Sequence, residues 1–191
     1  MRTRPGSNRE VNSPPREPVP GVKVLFLVGF MGAGKTCVGQ ALSRQLGWQF
    51  EDLDDRIQAR EAQTIAQIFR SAGEEAFRIA EHEAIRELLA TVGSSPRVVA
   101  LGGGAFAQNQ NATLLEAAGF PIVFLDAPVE ELWRRCQGQA LERPLRRDET
   151  QFRELYAARR PYYLRAGLRV ETSGKPIETI AAEVASRLRL R

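Results

Sequence analysis

The strongest constraint on the fold is a glycine-rich motif between an apolar run and an amphipathic segment. Residues 22–28 are mostly apolar and β-branched or leucine, which is typical of a buried strand. After residue 36, apolar side chains recur at helical intervals and form one apolar face, at Val38, Ala41, Leu42 and Leu46. The intervening residues 29–36 read G-x-x-x-x-G-K-T. In this strand–loop–helix context, the motif predicts a loop that binds phosphate groups.

Each residue type in this motif suits a nucleoside triphosphate. Glycines let the backbone fold closely around the phosphates, and successive N–H groups beside a helix N-terminus favour anions. We expect Lys35 to reach the β- and γ-phosphates and the Thr36 hydroxyl to ligate Mg²⁺.

Strand-like and helix-like segments alternate along the rest of the chain. Short apolar runs lie at 48–51, 98–101, 122–125 and 168–170. Between and after them, helical spacing appears in two further sets: Phe77, Ala80, Ala84 and Leu88, then Ile177, Ile180, Ala181, Val184 and Leu188. This alternation predicts an α/β domain with a parallel sheet covered on both faces by helices. Ligands of such sheets bind at the carboxyl ends of the strands.

Two strands end in residues that suit this edge. The second is followed by Asp52 and Asp54, and we expect at least one of these carboxylates to serve the metal or the substrate. If the chain stays extended over 52–54, both side chains leave on one face of the strand. The third strand opens into three glycines at 102–104, which suits a close approach of bare backbone to a ligand.

Composition excludes several classes of protein. The chain has 191 residues, enough for one domain, and its apolar stretches at 24–33 and 98–107 are too short to span a membrane. Two cysteines without CxxC spacing and a single histidine argue against a disulfide framework, a structural zinc site and a Ser/His/Asp triad. We therefore expect a cytoplasmic protein.

The charge distribution points to a small anionic partner. The net charge is +4, and the ten arginines and four acidic residues between 134 and 169 leave an excess of six positive charges there. These arginines are spread over a predicted loop and two helices, so we expect a nucleotide rather than nucleic acid as the partner of this region. Residues 1–21 hold five prolines and few apolar residues, which predicts a disordered tail before a single domain at 22–191.

The separated motifs together resemble the shikimate kinases over about residues 22–190. The resemblance rests on the loop at 29–36, F-x-D-x-D at 50–54, I-F at 68–69 and G-E-x-x-F-R at 73–78. It continues with the glycines at 102–104, Arg-Pro-Leu at 143–145 and R-x-P-x-Y at 159–163. It implies a nucleoside monophosphate kinase-like fold with three layers, a five-stranded parallel sheet, a mobile lid at about 137–149 and a shikimate-binding helical region. The implied reaction transfers the γ-phosphoryl group of ATP to the 3-hydroxyl of shikimate, in the biosynthesis of chorismate and aromatic amino acids.

The same resemblance implies a role for each site residue. Those expected at ATP are Gly32, Ala33, Gly34, Lys35, Thr36, Cys37 and Arg143, with Thr36 and Asp52 near Mg²⁺. Those expected at shikimate are Asp54, Arg78, Gly103 and Arg159, and the catalytic groups are Lys35, Asp54 and Arg143. Two positions depart from the family: Cys37 replaces a common Ser or Thr, and the arginine often found beside adenine has its nearest counterpart in Arg135.

Other classes of function remain open on the sequence alone. A related sugar-acid kinase would share the phosphate-binding loop, and a non-catalytic ligand sensor would share the whole domain. A structural or nucleic-acid-binding P-loop protein is a third alternative. We expect a monomer that binds ATP and shikimate and neither nucleic acid nor a membrane.

Overall fold

A computed structural model describes residues 22–93, 95–137 and 148–190 of the chain. The proline-rich segment 1–21, Arg143 and most of the expected lid lie outside the described residues.

A five-stranded parallel sheet forms the centre of the domain, as the alternating pattern predicts. The strands are β1 (Val24–Val28), β2 (Gln49–Asp52), β3 (Arg97–Ala100), β4 (Ile122–Asp126) and β5 (Leu168–Glu171). Their order across the sheet is β2-β3-β1-β4-β5, with every neighbouring pair parallel. Every side chain of β1 is buried, because this strand is the middle of the sheet. The loop at 29–36 therefore leaves the central strand at its carboxyl end.

Seven helices flank the sheet in the described residues. They are α1 (Lys35–Leu46), α2 (Leu53–Glu61), α3 (Ile65–Ala90), α4 (Asn109–Ala117), α5 (Val129–Gln137), α6 (Glu149–Tyr163) and α7 (Ile177–Leu188). A short 3₁₀ turn at Ala105–Ala107 follows the three glycines. Helix α1 packs against α7, and α2 packs against α3.

Two local features set the position of the α2–α3 region. Thr64 begins α3 with a capping box, in which its hydroxyl accepts from the Gln67 N–H and the Gln67 side chain accepts from the Thr64 N–H. Gly73 has φ of 82° inside α3, so the helix is kinked there. The kink separates a short first part from the longer part that carries Arg78 and Glu81.

The chain does not stay extended over 52–54, so Asp52 and Asp54 do not leave one face of a strand. The strand ends at Asp52, whose carboxylate accepts a hydrogen bond from the Asp54 N–H and caps α2, which starts at Leu53. Capping satisfies one of the free N–H groups of the first turn, so helix formation is favoured one residue after the strand. Asp54 therefore projects from the first turn of a helix.

Candidate active site

The phosphate-binding loop, residues 29–36, closes tightly against its neighbours. Gly29 and Gly32 have φ of 145° and 80°, in the region that side chains disfavour. A Cβ on Gly29 would lie 2.6 Å from the Leu125 carbonyl oxygen, and one on Gly32 would lie 2.8 Å from that of Leu132. Both positions therefore require glycine for conformation and for space.

Lys35 folds back into the loop. Its Nζ donates hydrogen bonds to the carbonyl oxygens of Gly29 (2.9 Å) and Phe30 (3.2 Å). The ammonium group thus lies within the loop, beside the N-terminus of α1, where the motif predicts the phosphates. Cys37 follows in the first turn of α1 and is exposed.

Thr36 and Asp52 form an oxygen-rich pair next to this loop. The Thr36 hydroxyl donates to Asp52 Oδ2 at 3.0 Å, so the first helix and the second strand meet at this point. In the described part of the chain, no group of three or more His, Cys, Asp or Glu side chains could hold a metal by itself. Magnesium commonly binds through one or two protein oxygens together with water and substrate phosphates. The Thr36–Asp52 pair fits such an ion.

Two arginines and two carboxylates surround the three glycines. Arg78 Nη1 donates to Glu81 Oε2 and its Nη2 to Glu74 Oε1, each at 2.9 Å. A Cβ on Gly104 would lie 2.7 Å from Arg78 Nη1, and one on Gly102 would lie 2.8 Å from Asp54 Oδ1. The glycines thus leave room for charged side chains that approach the backbone from helices α2 and α3.

Arg159 reaches the same glycines from α6. Its Nη1 donates to the Gly103 carbonyl oxygen at 3.4 Å, and its guanidinium carbon lies 6.0 Å from the centre of the Phe30 ring. The Tyr163 hydroxyl donates to the same carbonyl oxygen, and burial raises the pKa of this phenol. The structure thus brings to one region Asp54, Arg78, Gly103 and Arg159, the four residues that the family resemblance assigns to one ligand.

Glu81 belongs to this cluster although the sequence reasoning gave it no role. It is 1% exposed, and its Oε1 has no hydrogen-bond partner within the described ranges. Burial raises its pKa to about 7, with Asp54 adding to the rise and Arg78 opposing it. A signal was present in the sequence: Glu81 lies four residues after Phe77 and three before Ala84, on the apolar face of the predicted helix.

Arg135 lies on the other side of the loop. Its Nη1 donates to the Gly32 carbonyl oxygen (3.3 Å) and the Thr172 hydroxyl (3.1 Å), and its Nη2 to the Thr172 carbonyl oxygen (3.0 Å) and Glu131 (2.6 Å). It therefore joins the phosphate-binding loop to the segment between β5 and α7.

The sheet order and the loop at the end of its central strand define a P-loop kinase with a nucleoside monophosphate kinase-like fold. A family model for shikimate kinase matches residues 31–189. This chain therefore belongs to the shikimate kinase family, whose members use ATP.

Individual relatives cover nearly the same part of the chain. A shikimate kinase of Geobacter sulfurreducens is 43% identical over 86% of this chain and 90% of that protein. One of Persephonella marina is 38% identical over 86% of this chain and 98% of that protein. The solved structure of "Shikimate kinase from Acinetobacter baumannii in complex with shikimate" has a TM-score of 0.80 and 33% identity, and the match covers 88% of this chain and 93% of that one. These matches favour a shikimate kinase over the sugar-acid kinase and the ligand sensor.

No helix in the part of the chain that the structure describes combines the length and the apolar character needed to cross a bilayer.

Proposed function

We propose that this chain transfers the γ-phosphoryl group of ATP to the 3-hydroxyl of shikimate and releases shikimate 3-phosphate and ADP. The observation that carries the proposal is the convergence of Arg78, Arg159 and Asp54 on one glycine loop, beside a lysine-bearing phosphate-binding loop. Shikimate carries one carboxylate and three hydroxyls, and this set of side chains matches both kinds of group. Membership in the shikimate kinase family supports the same acceptor.

The nucleotide half of the site would work through charge and position. Residues 32–37 offer backbone N–H groups to the phosphates, and Lys35 would leave the loop carbonyls to contact the β- and γ-phosphates. Thr36 and Asp52 would hold Mg²⁺, Asp52 through water. When bound, this ion neutralises the charge that develops on the phosphate oxygens.

The acceptor half would grip and orient shikimate. A guanidinium group can bind a carboxylate through two parallel hydrogen bonds, which suits Arg78 and Arg159 for the shikimate carboxylate. Asp54 would accept the proton of the 3-hydroxyl while the oxygen of that hydroxyl attacks the γ-phosphorus. The bond from that phosphorus to the β,γ-bridging oxygen then breaks, and ADP leaves.

Further roles follow from the family resemblance and complete the proposal. Arg143 would close over the transferring phosphoryl group, and Arg135 would lie beside the adenine. The Gly103 backbone would contact shikimate. The protein would act as a monomer. It would work in the cytoplasm, because Cys37 and Cys136 are both free thiols, as is usual in a reducing compartment.

An acceptor comparison tests this function. ADP release is measured with MgATP and either shikimate, gluconate or no acceptor. We expect rapid release with shikimate alone. Equal release without any acceptor, or faster release with gluconate, would contradict the proposal.

A further inference from the structure

A buried carboxylate next to the site has no role in the proposed reaction. Asp126 ends β4 and is 2% exposed. Its Oδ2 accepts hydrogen bonds from Arg160 Nη2 (3.0 Å) and Arg169 Nε (2.8 Å), and its Oδ1 accepts one from the Tyr156 hydroxyl (3.3 Å). We call these four residues the Asp126 cluster. Its three hydrogen bonds compensate the charge of the Asp126 carboxylate, which would be costly to bury without partners.

Two of its members lie on α6 and are also joined to each other. Arg160 Nε donates to the Tyr156 hydroxyl oxygen at 3.1 Å, so the arginine contacts the phenol and the carboxylate at once. Burial and the neighbouring Asp126 carboxylate raise the pKa of Tyr156, which keeps the hydroxyl protonated and able to donate. Arg169 comes from β5 and belongs to the cluster only through Asp126. Tyr156 and Arg160 therefore hold α6 against the end of β4. Arg169 binds the same carboxylate from β5 and does not tie it to α6.

The same helix contacts the phosphate-binding loop through aromatic rings. The Phe30 ring packs edge-on against Tyr156 and Phe152, with ring centres 5.5 and 5.0 Å apart. One turn further along α6, Arg159 lies over Phe30. The position of Arg159 relative to the loop thus depends on how α6 is held at Tyr156 and Arg160.

We propose that Arg160 and Tyr156 are positioning residues that set the place of Arg159 by tying α6 to Asp126. The proposal rests on the function proposed above, in which Arg159 holds the acceptor carboxylate. The Arg160 guanidinium contacts Asp126 and Tyr156, so Arg160 acts through its neighbour Arg159. Loss of its contacts displaces Arg159 and weakens the acceptor site, while the nucleotide contacts of the loop remain.

Kinetics of matched variants test this role. In Arg160→Met we expect the KM for shikimate to rise about tenfold, as for the loss of hydrogen bonds to a charged group, with the KM for MgATP unchanged. Arg160→Lys should restore part of the affinity, because an ammonium group can reach Asp126 but cannot reproduce the planar contact to Tyr156 as well. Arg169→Met is the matched control: it removes an arginine from the same carboxylate but not from α6. It should leave both Michaelis constants unchanged.

A second substitution keeps the test valid if Arg160→Met does not fold. Tyr156→Phe retains the ring on Phe30 and removes only the hydroxyl, and we expect a rise of about fivefold in the KM for shikimate. Equal effects of Arg160→Met and Arg169→Met, or a parallel rise in both Michaelis constants, would overturn the positioning role. Absence of shikimate-dependent ADP release in the unaltered chain would instead overturn the proposed function, and this inference with it.

Discussion

At the residue scale, Lys35 is the group on which the proposed nucleotide chemistry depends most. Lys35→Met should lower turnover by about 100-fold or more, because a charge aimed at the transferring group is lost. The fold should persist, because the Lys35 side chain lies in the phosphate-binding loop and not in the apolar core. A coupled ADP assay and a thermal melt measure both effects. Lys23→Met, at the exposed start of β1, is the control, and a folded Lys35→Met protein with near-normal turnover would contradict the role.

Glu81 gives the stability of the protein a particular pH dependence. In the folded chain its pKa is about 7, against 4.5 for an ordinary glutamate, because the side chain is buried. The folded state therefore keeps a proton that the unfolded chain has released between these two pH values. Raising the pH through this window should lower the free energy of unfolding, by on the order of 3 kcal/mol from this group.

Comparison with Glu81→Gln isolates this contribution, because the amide does not ionise. As the pH rises from about 4.5 to 7, the free energy of unfolding should fall in the unaltered chain by more than it changes in the variant. Denaturant titrations at several pH values measure the difference. Glu75→Gln, at an exposed position on the same helix, should run parallel to the unaltered chain. Parallel curves for Glu81→Gln as well would show that this carboxyl is not perturbed.

The sequence predicts single residues well where a motif has fixed spacing. Lys35 and Thr36 lie in the loop where the motif indicates, and Asp52, at the end of β2, contacts Thr36. The sequence pattern assigns Glu81 no role, because a glutamate three positions after an arginine is typical of an ion pair on a helix surface. Its importance comes from contact with the loop at 102–104, which is distant in sequence.

At the element scale, the loop after β3 is shaped by the side chains that press on it. Gly102→Ala should lower kcat/KM for shikimate by about tenfold or more, because a Cβ would lie 2.8 Å from Asp54 Oδ1 and displace it. The KM for MgATP should change little. Gly167→Ala is the matched control, since nothing lies within 4 Å of its added Cβ. An unchanged kcat/KM in Gly102→Ala would mean that Asp54 tolerates displacement.

Element boundaries depended on contacts that a pattern does not contain. The strand-like runs located all five strands to within two residues, although only β1 and β4 are buried along their whole length. The start of α2 at Leu53 was not predicted, since it depends on Asp52 acting as both a strand end and a helix cap. The kink at Gly73 was also missed, because a single glycine is compatible with an unbroken helix.

At the scale of the whole molecule, the candidate active site lies where five parts of the chain meet at the carboxyl ends of the strands. The loops after β1 and β3, the start of α2, the middle of α3 and the end of α6 each contribute charged or backbone groups. Alternation of strands and helices predicts a parallel sheet, and its strand order follows only from the family resemblance or from the structure. The meeting of Arg78 with Arg159 likewise follows from that order, because 80 intervening residues must bring them together.

The central claim is that these groups direct phosphoryl transfer to one hydroxyl of shikimate. Phosphorus NMR of a reaction containing the purified chain, MgATP and shikimate tests it most directly, because coupling of the phosphorus to the ring proton on the esterified carbon identifies that carbon. We expect ADP and a single new phosphomonoester at the 3-position, formed in equal amounts. Free phosphate as the only product beside ADP, or a phosphomonoester on another hydroxyl, would contradict the account.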